Sequence, residues 1–205
     1  MKQNFSLRSL AAASLLVCAA AAPAYAAVID FDDIVVPPTS NHMDTTVLDY
    51  AYQGFTWSGG AGGYSWLVSP AAAAPYLSFP GVATHSGPNF AWTNGSSDVS
   101  LSASHTFNVD SFWARDLSGT DQAVAHGYLN GVEIFTRTLR MADTYQQFNL
   151  HFNGIDTLTL TNHGNLLIDD ISISAVPEPT SYAMLLGGLA LLGGIARRRK
   201  GAAAQ

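Results

Sequence analysis

Thr157-Leu158-Thr159-Leu160-Thr161 alternates without a break. A strand turns successive side chains to opposite faces, so this run buries two leucines and shows its threonines to solvent. Upstream, residues 123–129 and 132–139 are β-prone runs joined by Asn130-Gly131. That dipeptide tolerates the two positive φ angles of a type I′ turn, so it predicts a hairpin. Downstream, Asn162-His163-Gly164-Asn165 turns the chain into a last strand over 166–174.

Working back, 99–101, 105–109, 111–114 and 145–152 read as further strands. Residues 28–33 and 47–57 are β-prone as well, the second ending in Ser58-Gly59-Gly60-Ala61-Gly62-Gly63. That glycine run lacks the G-x-G-x-x-G spacing of a phosphate cradle and is a loop. Between 64 and 97 the prolines at 70, 75, 80 and 88 leave room only for short strands near 76–79 and 89–92, with long loops between. Roughly ten short strands with no helical period before Thr180 predict an all-β antiparallel β-sandwich.

The two ends are of a different kind. Residues 1–26 read as a secretory signal peptide: Lys2 and Arg8, an apolar run over 10–22, and the cleavage site Ala24-Tyr25-Ala26. Signal peptidase then leaves a chain starting at Ala27. Cys18, the sole cysteine, lies inside this segment, so the mature chain has no disulfide. At the other end, Pro177-Glu178-Pro179 precedes 181–196, which carries no charge, and then Arg197-Arg198-Arg199-Lys200. At 1.5 Å per residue that apolar helix is about 24 Å long, against a hydrocarbon core of about 30 Å. The basic cluster stays cytoplasmic and places everything before Ser181 on the far side of the membrane. The chain thus divides into signal peptide (1–26), body (27–175) and tail (176–205).

The tail resembles the PEP-CTERM sorting signal, also catalogued as the C-terminal domain of ice-binding-type proteins. The resemblance rests on Pro177, Glu178 and Pro179, on the glycine pairs Gly187-Gly188 and Gly193-Gly194, and on Arg197, Arg198 and Arg199. It implies an exosortase as partner, in a Gram-negative bacterium that makes exopolysaccharide. The precursor would be anchored in the inner membrane and then pass to the envelope or extracellular matrix. The body bears a shorter likeness to carbohydrate-binding modules with a galactose-binding-like jelly roll. Asn165-Leu166-Leu167-Ile168-Asp169-Asp170-Ile171-Ser172-Ile173 resembles their closing strand, and Ile29-Asp30-Phe31-Asp32-Asp33 their opening one.

Charge narrows the partners. The whole chain carries −6, but residues 27–176 hold three arginines against fourteen acids, a net −11. Such a surface repels nucleic acid and suits divalent cations or neutral glycans. Asp32-Asp33 and Asp169-Asp170 lie at opposite ends of the body, and first and last strands of a sandwich are commonly neighbours. If Leu167, Ile171 and Ile173 share the buried face, Asp169 points inward with them. A buried carboxylate needs a partner. One reading is a structural calcium ion held by Asp30 or Asp32 with Asp169 or Asp170. The others are a bulge that turns Asp169 out, or a cap on backbone N–H groups.

No catalytic motif stands out. The six histidines form no H-x-H or H-E-x-x-H, and no G-x-S-x-G elbow is present. In Thr84-His85-Ser86-Gly87, neighbouring side chains of an extended chain point apart. Aromatic rings in the loop-rich part, Trp66, Tyr76 and Trp92, are candidates for stacking on sugars, against the usual fate of a Trp in the core. Taken together these features predict a non-enzymatic structural or adhesive body that touches glycan. The alternative is a secreted hydrolase of matrix polysaccharide, which requires two carboxylates facing across a cleft. Ice binding would require a flat threonine array larger than the ladder at 157–161.

Overall fold

A computed structural model describes residues 26–59, 66–77, 81, 84–93, 98–117, 119, 122–162, 164–176 and 187–192. Tyr25–Val176 form one compact unit. The signal peptide lies outside the described residues. So does most of the expected membrane helix, of which 187–192 are described and helical. Among the described residues no helix is long and apolar enough to cross a membrane.

The body is all-β and antiparallel. Its strands are β1 (Ala26–Ile29), β2 (Thr46–Leu48), β3 (Ala51–Tyr52), β4 (Phe55–Gly59), β5 (Trp66–Pro70), β6 (Asn89–Thr93), β7 (Asp98–Asp116), β8 (Gln122–Leu129), β9 (Val132–Arg140), β10 (Gln146–Asn162) and β11 (Leu166–Ala175). They hydrogen-bond in the order β2-β5-β6-β11-β7-β10-β8-β9, with β1 on β11, and β3 on β4 on β7. First and last strands are neighbours, as the sequence predicts, with Ile29 opposite Ile171. Asn130 and Gly131 both have positive φ and close the β8–β9 hairpin. Gln53 and Gly54 do the same between β3 and β4.

Several sequence boundaries change. The three runs between 98 and 114 are one strand, β7, and the two between 145 and 161 are one strand, β10. Both stay continuous because bulges absorb the breaks in pattern. The β7–β10 register shifts between Asn149 and Thr157, where His151 and Gly154 have positive φ. Bulges bend a strand and raise its twist. The strand expected near 76–79 is absent over its described part: Ala71–Ala73 form a 3-10 turn, and 74–77 continue as turn. Trp66–Pro70, passed over in the sequence, is β5.

The bent sheet folds back on itself. Trp66 of β5 donates its indole N–H to the Ser100 carbonyl of β7 at 3.0 Å, although those strands are not ladder neighbours. Between the two halves lies the main core. Trp57 and Trp66 meet edge to face at 5.1 Å, and Phe31 packs on Trp57 at 5.5 Å. Leu158 and Leu160 join that core, while Thr157, Thr159 and Thr161 stay partly exposed. A smaller cluster of Ala74, Phe90, Trp92 and Leu167 packs separately, with Leu67, Leu77, Leu117 and Tyr145 against it.

Strand β11 is buried on both faces, and a bulge reverses its parity midway. Leu166 and Ile168 point into the main core while Leu167 joins the smaller cluster. The register then shifts between Asp169 and Ser172, where Asp170 has φ 48°. Beyond it Ile171 and Ile173 face the main core. The common face expected for Leu167, Asp169, Ile171 and Ile173 is therefore broken at Asp170, because the extra residue flips the alternation.

Candidate functional site

Asp169 is fully buried although the bulge turns it away from the main core, because the segment 84–89 covers it. Its Oδ2 accepts the backbone N–H of His85 at 2.9 Å and of Ser86 at 3.1 Å, and its Oδ1 accepts that of Asp170 at 2.9 Å. Asp170 takes the side chains of the same two residues. The Nδ1 of His85 lies 2.6 Å from its Oδ2, and the Ser86 hydroxyl donates to its Oδ1 at 2.7 Å. A carboxylate oxygen accepts, so Nδ1 is the hydrogen-bearing nitrogen. From the other side, Asp32 accepts the Asn89 N–H at 3.1 Å, and the Asn89 amide donates to the carbonyls of Phe31 and Ile34. Asp30 Oδ1 accepts the N–H of Asp32.

Asp32, Asp169 and Asp170 thus converge, but on the loop between them, whereas Asp33 turns away and accepts from the Tyr52 hydroxyl and the Gln53 amide. Five backbone N–H groups, those of Asp32, His85, Ser86, Asn89 and Asp170, are satisfied by carboxylates, and such groups are costly to bury unpaired. Of the alternatives open in the sequence, the bulge and the backbone cap are both present. Among the described residues no group of three or more His, Cys, Asp or Glu is placed to share a metal ion. Burial pushes the Asp169 carboxyl up to about 7; the charge of Asp170 adds to the rise, and the N–H bonds from Ser86, Asp170 and His85 oppose it.

His85 carries the loop onto an aromatic surface. Its ring lies flat on Trp113 of β7, with centroids 3.8 Å apart and planes within 15°. Trp113 sits in a row with Asp169 of β11 on one side and Gln147 of β10 on the other. Arg115, two residues along β7, lies on the same face and holds its guanidinium 5.7 Å from the Tyr145 ring centroid. Arg115 Nε and the Tyr145 hydroxyl are buried without a hydrogen-bond partner. An orphaned buried donor costs about 1–3 kcal/mol and calls for an explanation. Burial, then the charge of Asp169, raises the Tyr145 hydroxyl, so it stays protonated near neutral pH.

Two of the ring candidates need correction. Trp66 is 1% exposed and Trp92 is 6% exposed, so neither offers a face to a sugar. Trp66 is spent in the main core. Trp92 fills the smaller cluster and donates to the Ser69 hydroxyl at 3.0 Å. Tyr76 is 52% exposed, with the His42 ring 5.0 Å away. The sequence reading missed Trp113, Tyr145, Arg115, His85 and Ser86. A signal for His85 and Ser86 was present: Gly87, with φ 48°, marks a turn in which neighbours need not diverge.

A family model matches residues 175–200, described as the PEP-CTERM protein-sorting motif. The tail is a PEP-CTERM sorting signal. It marks an exported, membrane-transiting precursor of the Gram-negative kind. Pro177, Glu178, Pro179 and Arg197 to Arg199 fall within that match, and all lie outside the described residues. No curated protein matches the sequence. Solved structures similar to the body include the K2 cleaved adhesin domain of Lys-gingipain, at 13% identity and a TM-score of 0.49, covering 74% of this chain and 100% of that one. The CBM22-1 xylan-binding domain from Paenibacillus barcinonensis Xyn10C matches at 13% identity and 0.38, covering 66% and 95%. A family 29 carbohydrate-binding module, CBM29-2, matches at 15% identity and 0.43, covering 74% and 93%.

Proposed function

We propose that an exosortase sorts this exported protein through its PEP-CTERM tail to the envelope or extracellular matrix. There its body serves as a non-catalytic, adhesive β-sandwich of the jelly-roll kind that contacts extracellular polysaccharide. Sorting rests on the motif match at 175–200. The glycan contact rests on one observation: Trp113, with His85 stacked on one face of its ring, stays partly exposed on a sheet face beside Gln147, Arg115 and Tyr145. Aromatic rings with polar neighbours are what a sugar face meets in a binding site.

A hydrolase would need its two carboxyls to face each other across the substrate. Asp169 and Asp170 instead turn to one loop, and Asp169 is sealed beneath it. Mass spectrometry of protein recovered from an exosortase-competent host tests the sorting. A chain beginning at Ala27 and ending before Gln205 is expected; intact Met1 and Gln205 ends would overturn it.

A further inference from the structure

Arg115 has no carboxylate partner among the described residues, in a body that carries fourteen acids. The ion pairs among the described residues join histidines to acids, and the contact Arg115 makes is with the Tyr145 ring. The nearest acids on this face are already engaged. Asp169 is filled by three backbone N–H groups, and Asp170 by His85 and Ser86. Arg115 Nε and the Tyr145 hydroxyl are both buried without a hydrogen-bond partner among the described residues, and the guanidinium stands 5.7 Å from the Tyr145 ring centroid.

We propose that this pair is the subsite for a carboxylate of the polysaccharide, so that the ligand is an acidic glycan bearing uronic acid or a similar acid group. The inference rests on the glycan contact proposed above and names the class of sugar. A guanidinium presents a planar fork of donors that matches two carboxylate oxygens, and it is less strongly hydrated than an ammonium. Tyr145, whose ring the guanidinium faces, adds a hydroxyl donor without a partner among the described residues. Trp113, on the same strand face as Arg115, has one face covered by the His85 ring, and the part of the indole left exposed is then placed to meet the ring of the same or the next sugar. The net −11 of the body opposes an acidic polymer at long range. Salt screens that repulsion beyond about 8 Å at physiological ionic strength, which leaves the guanidinium as the charge the carboxylate meets.

The test compares the extracellular polysaccharide of the producing bacterium with the same material after its carboxyls have been reduced to alcohols. Binding of the exported protein to both is measured by affinity electrophoresis. The native polymer should bind at least tenfold more tightly than the reduced one. Arg115→Gln should bring that ratio to about one with the melting midpoint kept, and Arg115→Lys should restore part of it. Should Arg115→Gln lower the midpoint, Tyr145→Phe removes a single donor and should shrink the ratio by itself. Equal binding of both polymers by the wild type, or an undiminished preference in both variants, overturns the carboxylate subsite while the glycan contact stands. Binding of neither polymer overturns the glycan contact itself.

Discussion

Gly87 stands against the carboxylate of Asp32: a Cβ at position 87 would fall inside it. Gly87 also has φ 48°, where an L side chain is strained. Both constraints act on the loop that Asp169 and Asp170 grip from the far side.

Gly87→Ala should therefore displace the loop as well as strain the backbone. A positive-φ alanine alone costs about 1 kcal/mol, and moving Asp32 would forfeit its bond to the Asn89 N–H. A lowered melting midpoint is expected, together with loss of the protection of the His85 and Ser86 amides from hydrogen exchange. An unchanged midpoint with protected amides would show that the loop is held elsewhere.

Asp169 should make stability depend on pH in a stated direction. Its carboxyl rises from 3.8 to about 7 on folding. Below about 4 it is neutral in both states. Between about 4 and 7 the unfolded chain releases the proton first, so this stabilising contribution is lost as pH rises through that window. The advantage of wild type over Asp169→Asn in thermal melts should be larger at pH 4 than at pH 8. An advantage that grows with pH would reverse the sign and refute the burial argument.

Trp66 and Trp113 should separate stability from binding. Trp66→Ala removes a ring from the main core, where such losses cost about 3–5 kcal/mol. Trp113→Ala removes a partly exposed ring together with the surface on which His85 stacks. Chemical denaturation should show a large loss for the first and under half of that for the second. Equal losses would place Trp113 in the core as well.

The calcium expectation for Asp30, Asp32, Asp169 and Asp170 has a simple test. N–H donors converge on the oxygens of Asp32 and Asp169 that a cation would take. The melting midpoint is thus expected to be the same in millimolar calcium and in magnesium. A calcium-specific rise, lost in Asp169→Asn with Asp32→Asn, would establish an ion and revise the clamp.

The alternation at 157–161, the Asn130-Gly131 hairpin and the pairing of β1 with β11 were all legible in the sequence. The first two depend on a local pattern and a short-range turn, and the third on the general habit of sandwiches to set their end strands side by side. What escaped depends on distant partners. The runs at 99–101, 105–109 and 111–114 look separate because polar residues interrupt them, yet β10 and bulges carry one strand through. Asp170 flips the parity of β11, and no residue type in the strand announces a bulge. Trp66 looked like a loop ring because glycines and prolines surround it. Its burial is set by Ser100 and Trp57, 34 and 9 residues away in the chain. Asp169 was legible as a buried carboxylate seeking a partner, but the partner, the backbone of 85–86, could not be read from side chains.

The glycan contact is tested most directly by the migration of exported protein through a gel cast with the bacterium's extracellular polysaccharide. Wild type should be retarded relative to a polysaccharide-free gel, and Trp113→Ala should migrate as though the polysaccharide were absent while remaining folded at the temperature of the gel. A folded Trp113→Ala retarded as strongly as wild type would contradict the assignment of this face.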